Sequence, residues 1–261
     1  MQLKYEYTGK PGYEAVVEKP ECMKFINEFG VIKLGEVKEH SGNTGNCEAM
    51  LHIYCGTCTV SVGDKIFENI GGRENVFAGL PTAVYLPPNT AYKVTGDNAE
   101  VAYLSTESDG GGEVTLISRD DVKIIDAGKD NWSREVRLIA GPGNSITKKM
   151  VLGETINPPG NWSGMPPHKH ENDVPPDESL HDELYLFRFD KPNGWGIERQ
   201  YDEHGFDEYQ TLTEDTVTIM PKGYHPVVAA PGYTLYYMFW LIGDNNALIQ
   251  KEDERHTWIK E

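Results

Sequence analysis

Apolar residues along this chain come in short runs of four to eight, each closed by a turn signal. From Val31 onward the runs VIKLGEV, EAMLHIY, CTVSVGD, AVYLPPN, YKVTG and EVAYLS alternate with glycine, proline, asparagine or aspartate. That spacing predicts an all-β sandwich or barrel. Gly63-Asp64 reads as a hairpin turn. The glycine cluster Asp109 to Gly112 interrupts the pattern, and a polar connection follows through Lys129-Asp130-Asn131. A second series then runs through EVRLIAGPG, ITKKMVLGETI, ELYLFRF, GWGIERQY, DTVTIMP, HPVVAAP and TLYYMFWLIG. These breaks predict two β-domains, residues 1–115 and 116–261. No long amphipathic helix is evident, and only Asn246 to Lys260 has helix-compatible spacing, as an edge cap.

The two series look like a worn repeat. Glu48 opens one strand as Glu183 opens another, and Tyr85-Leu86-Pro87-Pro88 resembles Ile219-Met220-Pro221-Lys222. The second copy carries the chemistry. His168 and His170 are two apart, which on an extended strand puts both imidazoles on one face. Glu183 stands at the mouth of the next strand, and His225 follows a Pro-x-Gly-x-His turn. Three imidazoles and a carboxylate suit a mononuclear zinc, iron, manganese or nickel site with open positions. In the first copy Ala91 stands near the histidine position and His40 lacks a His-x-His partner, so that half is read as structural.

Charge changes the picture of the substrate. The chain has 41 acidic and 24 basic residues, net −17, and no cationic cluster for a phosphate backbone, which argues against nucleic acid. No apolar stretch approaches the roughly 18 residues of a membrane span. The polar N-terminus lacks a signal-peptide core, predicting a cytoplasmic protein. Cys55 and Cys58 sit within a β-run and are read as reduced structural thiols. An anionic substrate would need a local cation to offset the field of the whole protein. Strand parity places Tyr185, Phe187 and Phe189 on the face of Glu183. The same reasoning groups Trp195, Ile197, Arg199 and Tyr201 as one inward face of the next strand, with Lys169 and Arg188 pointing away. An inward Arg199 either pairs with a carboxylate or awaits an anionic ligand.

The His-x-His…Glu pattern with a second histidine motif resembles the cupin superfamily. GGRENVFAGLPTAVYLPPNT, GNWSGMPPHKHE, ERQYD and MPKGYHPVVAAPGYTLYYMF make the likeness closer: the chain is similar to the bacterial 5-deoxy-glucuronate isomerases of inositol catabolism, from about Gly30 to Gly243. That resemblance implies two cupin barrels, the second binding one divalent metal, zinc or manganese, through His168, His170, Glu183 and His225, with Glu178 as a rival carboxylate. It implies isomerisation of a small anionic sugar acid, with Glu178, His181 and Tyr237 as candidate bases and Arg199, Tyr201 and Tyr185 as substrate contacts. A ketol-isomerase on 5-keto-4-deoxyuronate, an iron-dependent dioxygenase and a non-catalytic sugar-binding bicupin remain alternatives. The pattern also leaves room for a homo-oligomer.

Overall fold

The computed structural model describes residues 1–143 and 146–261. Among the described residues the regular structure is β-strand apart from three short 3-10 helices, Arg119–Asp121, Asp130–Trp132 and Glu254–Lys260. Two compact units form. One comprises Tyr7–Lys123 with Gly143–Lys149, and the other comprises Met1–Glu6, Ile124–Pro142 and Met150–Glu261. This division differs from a single cut at residue 115. Thr115–Ile117 pairs with Thr82–Leu86, while Lys4–Glu6 pairs with Thr216–Met220. Each short strand satisfies its backbone groups on a sheet edge remote in sequence.

In the N-terminal unit the main sheet runs Gly12–Glu18, Glu28–Leu34, Ala91–Glu107, Cys47–Val62, Thr82–Leu86, Thr115–Ile117. Gly63-Asp64 makes the expected hairpin, with Val62 opposite Lys65. Ala49, Leu51 and Ile53 enter one apolar cluster with Val84, Val94 and Val101. Met50, His52 and Tyr54 on the other face are equally buried, which explains the unbroken apolar run. None of the four cysteines is in a disulfide among the described residues.

In the C-terminal unit the sheet order is Lys4–Glu6, Thr216–Met220, His181–Phe189, Leu235–Gly243, Met150–Asn157, Arg134–Ala140, with Lys123–Ala127 at the edge. Read from the opposite edge, these strands repeat the N-terminal order, so the repeat extends to topology. A second sheet, Trp162–Ser163, Val227–Ala229, Gly196–Tyr201, Asp207–Leu212, lies against it. Tyr185, Phe187, Leu235 and Tyr237 from the first sheet pack with Leu212, Val227 and Ala229 from the second. The chain end departs from the expected helix. Lys251–Glu252 forms a strand on His168–Lys169 before the last 3-10 turn begins.

Candidate metal centre

Every strand of the His181–Phe189 segment's neighbourhood is buried, and Glu183 enters it between Leu241 and Met220. His170 reaches Glu183 from a loop closed upon itself. His181 N–H donates to the His170 carbonyl at 2.8 Å, and His170 Nδ1 donates to the His181 carbonyl at 2.7 Å. His225 arrives on the Pro-x-Gly-x-His turn. Gly223 takes φ +77 there, and a Cβ on it would meet the Tyr201 carbonyl at 2.4 Å, so the close approach of turn and strand requires glycine. His225 Nδ1 donates to the Gly223 carbonyl at 3.0 Å.

The carbonyls determine the tautomers. A carbonyl can only accept, so Nδ1 carries the proton and Nε2 presents its lone pair. His170 Nε2 lies 2.8 Å and His225 Nε2 2.9 Å from the same oxygen, Glu183 Oε2. His225 Nε2 is nevertheless a buried atom without a hydrogen-bond partner. Lone pairs converging on a carboxylate oxygen repel unless a cation or an added proton stands among them. Although burial pushes the Glu183 carboxyl up, the two imidazoles hold it far below the ordinary range. Burial would lower His225, but Glu183 keeps it raised. The ligand atoms of His170, Glu183 and His225 all lie within 4.8 Å of one another, and this donor set fits a divalent ion. His168 stands beside the group, its ring 5.1 Å from that of His225 and its Nδ1 3.4 Å from the Pro166 carbonyl. Enclosure of the ring, with the charge of His225, brings its pKa down to about 3. It can supply a fourth nitrogen.

The remaining sequence candidates separate. Glu178 is buried, but its carboxylate accepts the N–H groups of Glu171 at 2.6 Å and Asn172 at 2.9 Å. It organises the acidic loop and lies outside the ligand cluster, which corrects its reading as rival ligand or base. His181 also departs from the role of base, because both ring nitrogens are engaged. Nδ1 meets Ser179 Oγ and Nε2 the Asn245 carbonyl, each at 3.1 Å. Tyr185 and Tyr237 line the interior with ring centroids 4.7 Å apart, and Tyr237 hydrogen-bonds Ser163. Burial raises both phenols, which therefore stay protonated donors.

The parity assigned to Gly196–Tyr201 is reversed. Glu198 and Gln200 are fully buried, while Arg199 lies on the other face, its Nε and Nη2 donating to Asp207 at 2.8 and 3.0 Å. Its guanidinium stacks 4.1 Å above the Tyr201 ring, and Tyr201 donates to Asp253 at 2.8 Å. Arg199 and Tyr201 line a separate cavity of about 270 Å³ with Trp162 and His256. Neither points toward Glu183, which corrects the inward assignment. Lys169 does face away, but it is buried in ion pairs with Glu171 and Glu203 at 2.7 and 3.2 Å. Two residues escaped sequence reasoning. Glu198 shares its field with His225 and Glu183. Arg134, half-buried at the first position of its strand, donates to the Trp132 carbonyl at 3.1 Å, makes no ion pair among the described residues, and acts electrostatically on Tyr237. The antiparallel register of His225 was the missing signal for Glu198. Arg134 left none beyond its place at a strand start.

The KduI/IolB family model matches residues 6–259. A 5-deoxy-glucuronate isomerase of Bacillus subtilis (strain 168) is 33% identical over 237 residues, covering 90% of this chain and 88% of its own. The enzyme of the same name from Shouchella clausii is 34% identical over 240 residues, covering 91% and 88%. An IolB-like protein from Salmonella typhimurium LT2 superposes with a TM-score of 0.95 at 28% identity, covering 100% of both chains. An oxalate decarboxylase of Lactobacillus farciminis, at 9% identity, TM-score 0.68 and coverage of 97% and 88%, shares the fold alone. With the family model spanning nearly every residue, the chain belongs to the KduI/IolB family.

Proposed function

We propose that this chain is an aldose–ketose isomerase converting 5-deoxy-D-glucuronate to 5-dehydro-2-deoxy-D-gluconate in inositol catabolism. The observation that carries the reading is the convergence of Nδ1-anchored imidazoles on Glu183, in a chain whose relatives are named for that reaction. His170, Glu183 and His225, with His168 beside them, would hold one divalent ion, zinc or manganese. Bound there, the ion would polarise the sugar carbonyl and favour the developing oxyanion. The chain's own residues do the rest. The carbonyls of His181 and Gly223 keep two imidazoles in one tautomer and orientation. Tyr185 and Tyr237, held protonated by burial, offer O–H donors to sugar oxygens. Arg134, without a carboxylate partner among the described residues, replaces Arg199 as the cation for the substrate carboxylate, a charge-assisted contact suited to guanidinium.

Proton NMR of the purified protein with 5-deoxy-glucuronate tests the reading, after elemental analysis of the same sample. Loss of the aldose signals with growth of the ketose is expected, and a chelator should abolish it. Turnover of 5-keto-4-deoxyuronate without turnover of 5-deoxy-glucuronate would reassign the substrate.

A further inference from the structure

The strand Gly196–Tyr201 runs antiparallel to the segment that carries His225. Glu198 is opposite Val227, the Arg199 N–H donates to the Pro226 carbonyl at 3.0 Å, and Tyr201 bridges Tyr224. That register sets Gln200 directly across from His225. Residues two apart on a strand share a face, so Glu198, Gln200 and His225 all point inward side by side.

Among the described residues, two buried polar atoms on this face have no hydrogen-bond partner, Glu198 Oε1 and Gln200 Oε1. Such groups each cost free energy to bury and are rare unless a ligand or a function supplies what is missing. The amide orientation of Gln200 is not arbitrary. Its Nε2 donates at 3.1 Å both to Glu198 Oε2 and to the Ile219 carbonyl, two acceptors that only the nitrogen can serve. Gln200 therefore grips Oε2 of Glu198, Thr218 acts on the same carboxyl, and Oε1 stays without a hydrogen-bond partner among the described residues. None of the sequence-derived base candidates has such an open atom, since Glu178, His181 and Tyr237 are all bonded within the chain.

We propose that Glu198 is the catalytic acid–base of the isomerisation and that Gln200 positions it. The proposal rests on the isomerase reading above. The Glu198 carboxylate takes the proton from C2 of the open-chain aldose. The C2–H electron pair forms the C1–C2 double bond, and the aldehyde pair moves onto O1. The O2–H proton passes to O1, the O2 pair re-forms a carbonyl at C2, and the double-bond pair takes the proton from Glu198 onto C1. One proton leaves C2 and one arrives at C1, and no co-reactant is consumed.

Glu198→Gln and wild type are compared for turnover of 5-deoxy-glucuronate, metal content and melting temperature. The amide keeps the shape and removes only the proton acceptor. A fall in kcat of about 10²–10⁴-fold is expected, with metal content retained and melting temperature not lowered. Glu198→Gln within tenfold of an active wild type overturns the proposal alone, whereas an inactive metal-loaded wild type overturns the isomerase reading with it. Should Glu198→Gln fail to fold, Glu198→Asp, which keeps the carboxyl but withdraws it by one methylene, is compared with wild type at equal metal content: a fall in kcat of more than about tenfold supports the proposal, and kcat within about twofold of wild type overturns it.

Discussion

Glu48 and Glu183 open corresponding strands in two sheets of the same strand order, and their surroundings differ completely. Both are buried. Glu48 Oε1 accepts the Lys149 N–H at 2.8 Å, and Oε2 accepts the Lys148 N–H at 3.1 Å and the Tyr85 hydroxyl at 3.0 Å. Its own chain saturates it, and the carboxylate serves to fasten the backbone at Lys148 and Lys149. Burial still leaves its pKa raised. Around Glu183 the neighbours are imidazoles whose protons are already committed elsewhere. The space beside the N-terminal sheet is also filled, with Tyr13 stacked on His40 at 4.9 Å and Tyr92 on Tyr103 at 5.7 Å. A carboxylate whose lone pairs are satisfied is structure, whereas one facing unsatisfied donors' lone pairs is a site.

The sharpest test of this contrast is metal content. Glu183→Ala should weaken metal binding by more than about 100-fold, beyond what loss of an outer-shell partner costs, as read by elemental analysis after dialysis. Glu48→Ala should keep its metal, yet lose about 1–3 kcal/mol of stability in chemical denaturation, because the buried Tyr85 hydroxyl loses its acceptor. Metal loss from Glu48→Ala would give the N-terminal half a site of its own and end the contrast.

The same rule separates two arginines. Arg134→Met, removing a guanidinium that has no ion pair among the described residues, should lower kcat/KM by about 30- to several-thousand-fold, the equivalent of about 2–5 kcal/mol, with metal content unchanged. Normal steady-state kinetics for that variant would remove Arg134 from substrate binding.

Glu198 supplies a pH signature in metal-free protein. Its carboxyl is raised from the ordinary 4.5 to about 7 by burial, so the folded state holds the proton more tightly than the unfolded chain. Wild-type stability therefore falls as pH rises through this window, by about 3 kcal/mol in all. Glu198→Gln does not titrate. Its stability advantage over wild type should be absent near pH 4 and fully developed near pH 8, measured by denaturation at each pH. A constant difference across that range would mean that Glu198 is ionised in the fold at acid pH.

The smallest effect belongs to Arg199. Its pair with Asp207 is about 37% and 44% exposed at the two side chains, and exposed pairs contribute about 0–1 kcal/mol. Arg199→Met should shift stability by no more than that and leave kcat/KM near wild type. A large kinetic loss would restore it as a substrate contact.

Much of this was legible in residues alone. Period-two runs and turn residues announced β-structure, since half-buried strands must alternate. The His-x-His pair, Glu183 and the Pro-x-Gly-x-His turn announced donor chemistry, since few other uses bring those side chains together. Tertiary structure decided which face of Gly196–Tyr201 is inside. Trp195, Ile197 and Tyr201 look like a core face, but Trp195 is exposed, and Tyr201 is buried beneath Arg199 and against Asp253 on the far side. The true interior carries Glu198 and Gln200, because this interior is a reaction site and holds polar groups. Parity follows from register, and register was set by Tyr224–Tyr201 and Val227–Glu198 pairing across 20 or more residues. It was likewise pairing at sheet edges that assigned Lys4–Glu6 to one unit and Thr115–Ile117 to the other. Local sequence sets which residues can be buried or bind an ion, and long-range backbone hydrogen bonding sets which of them meet.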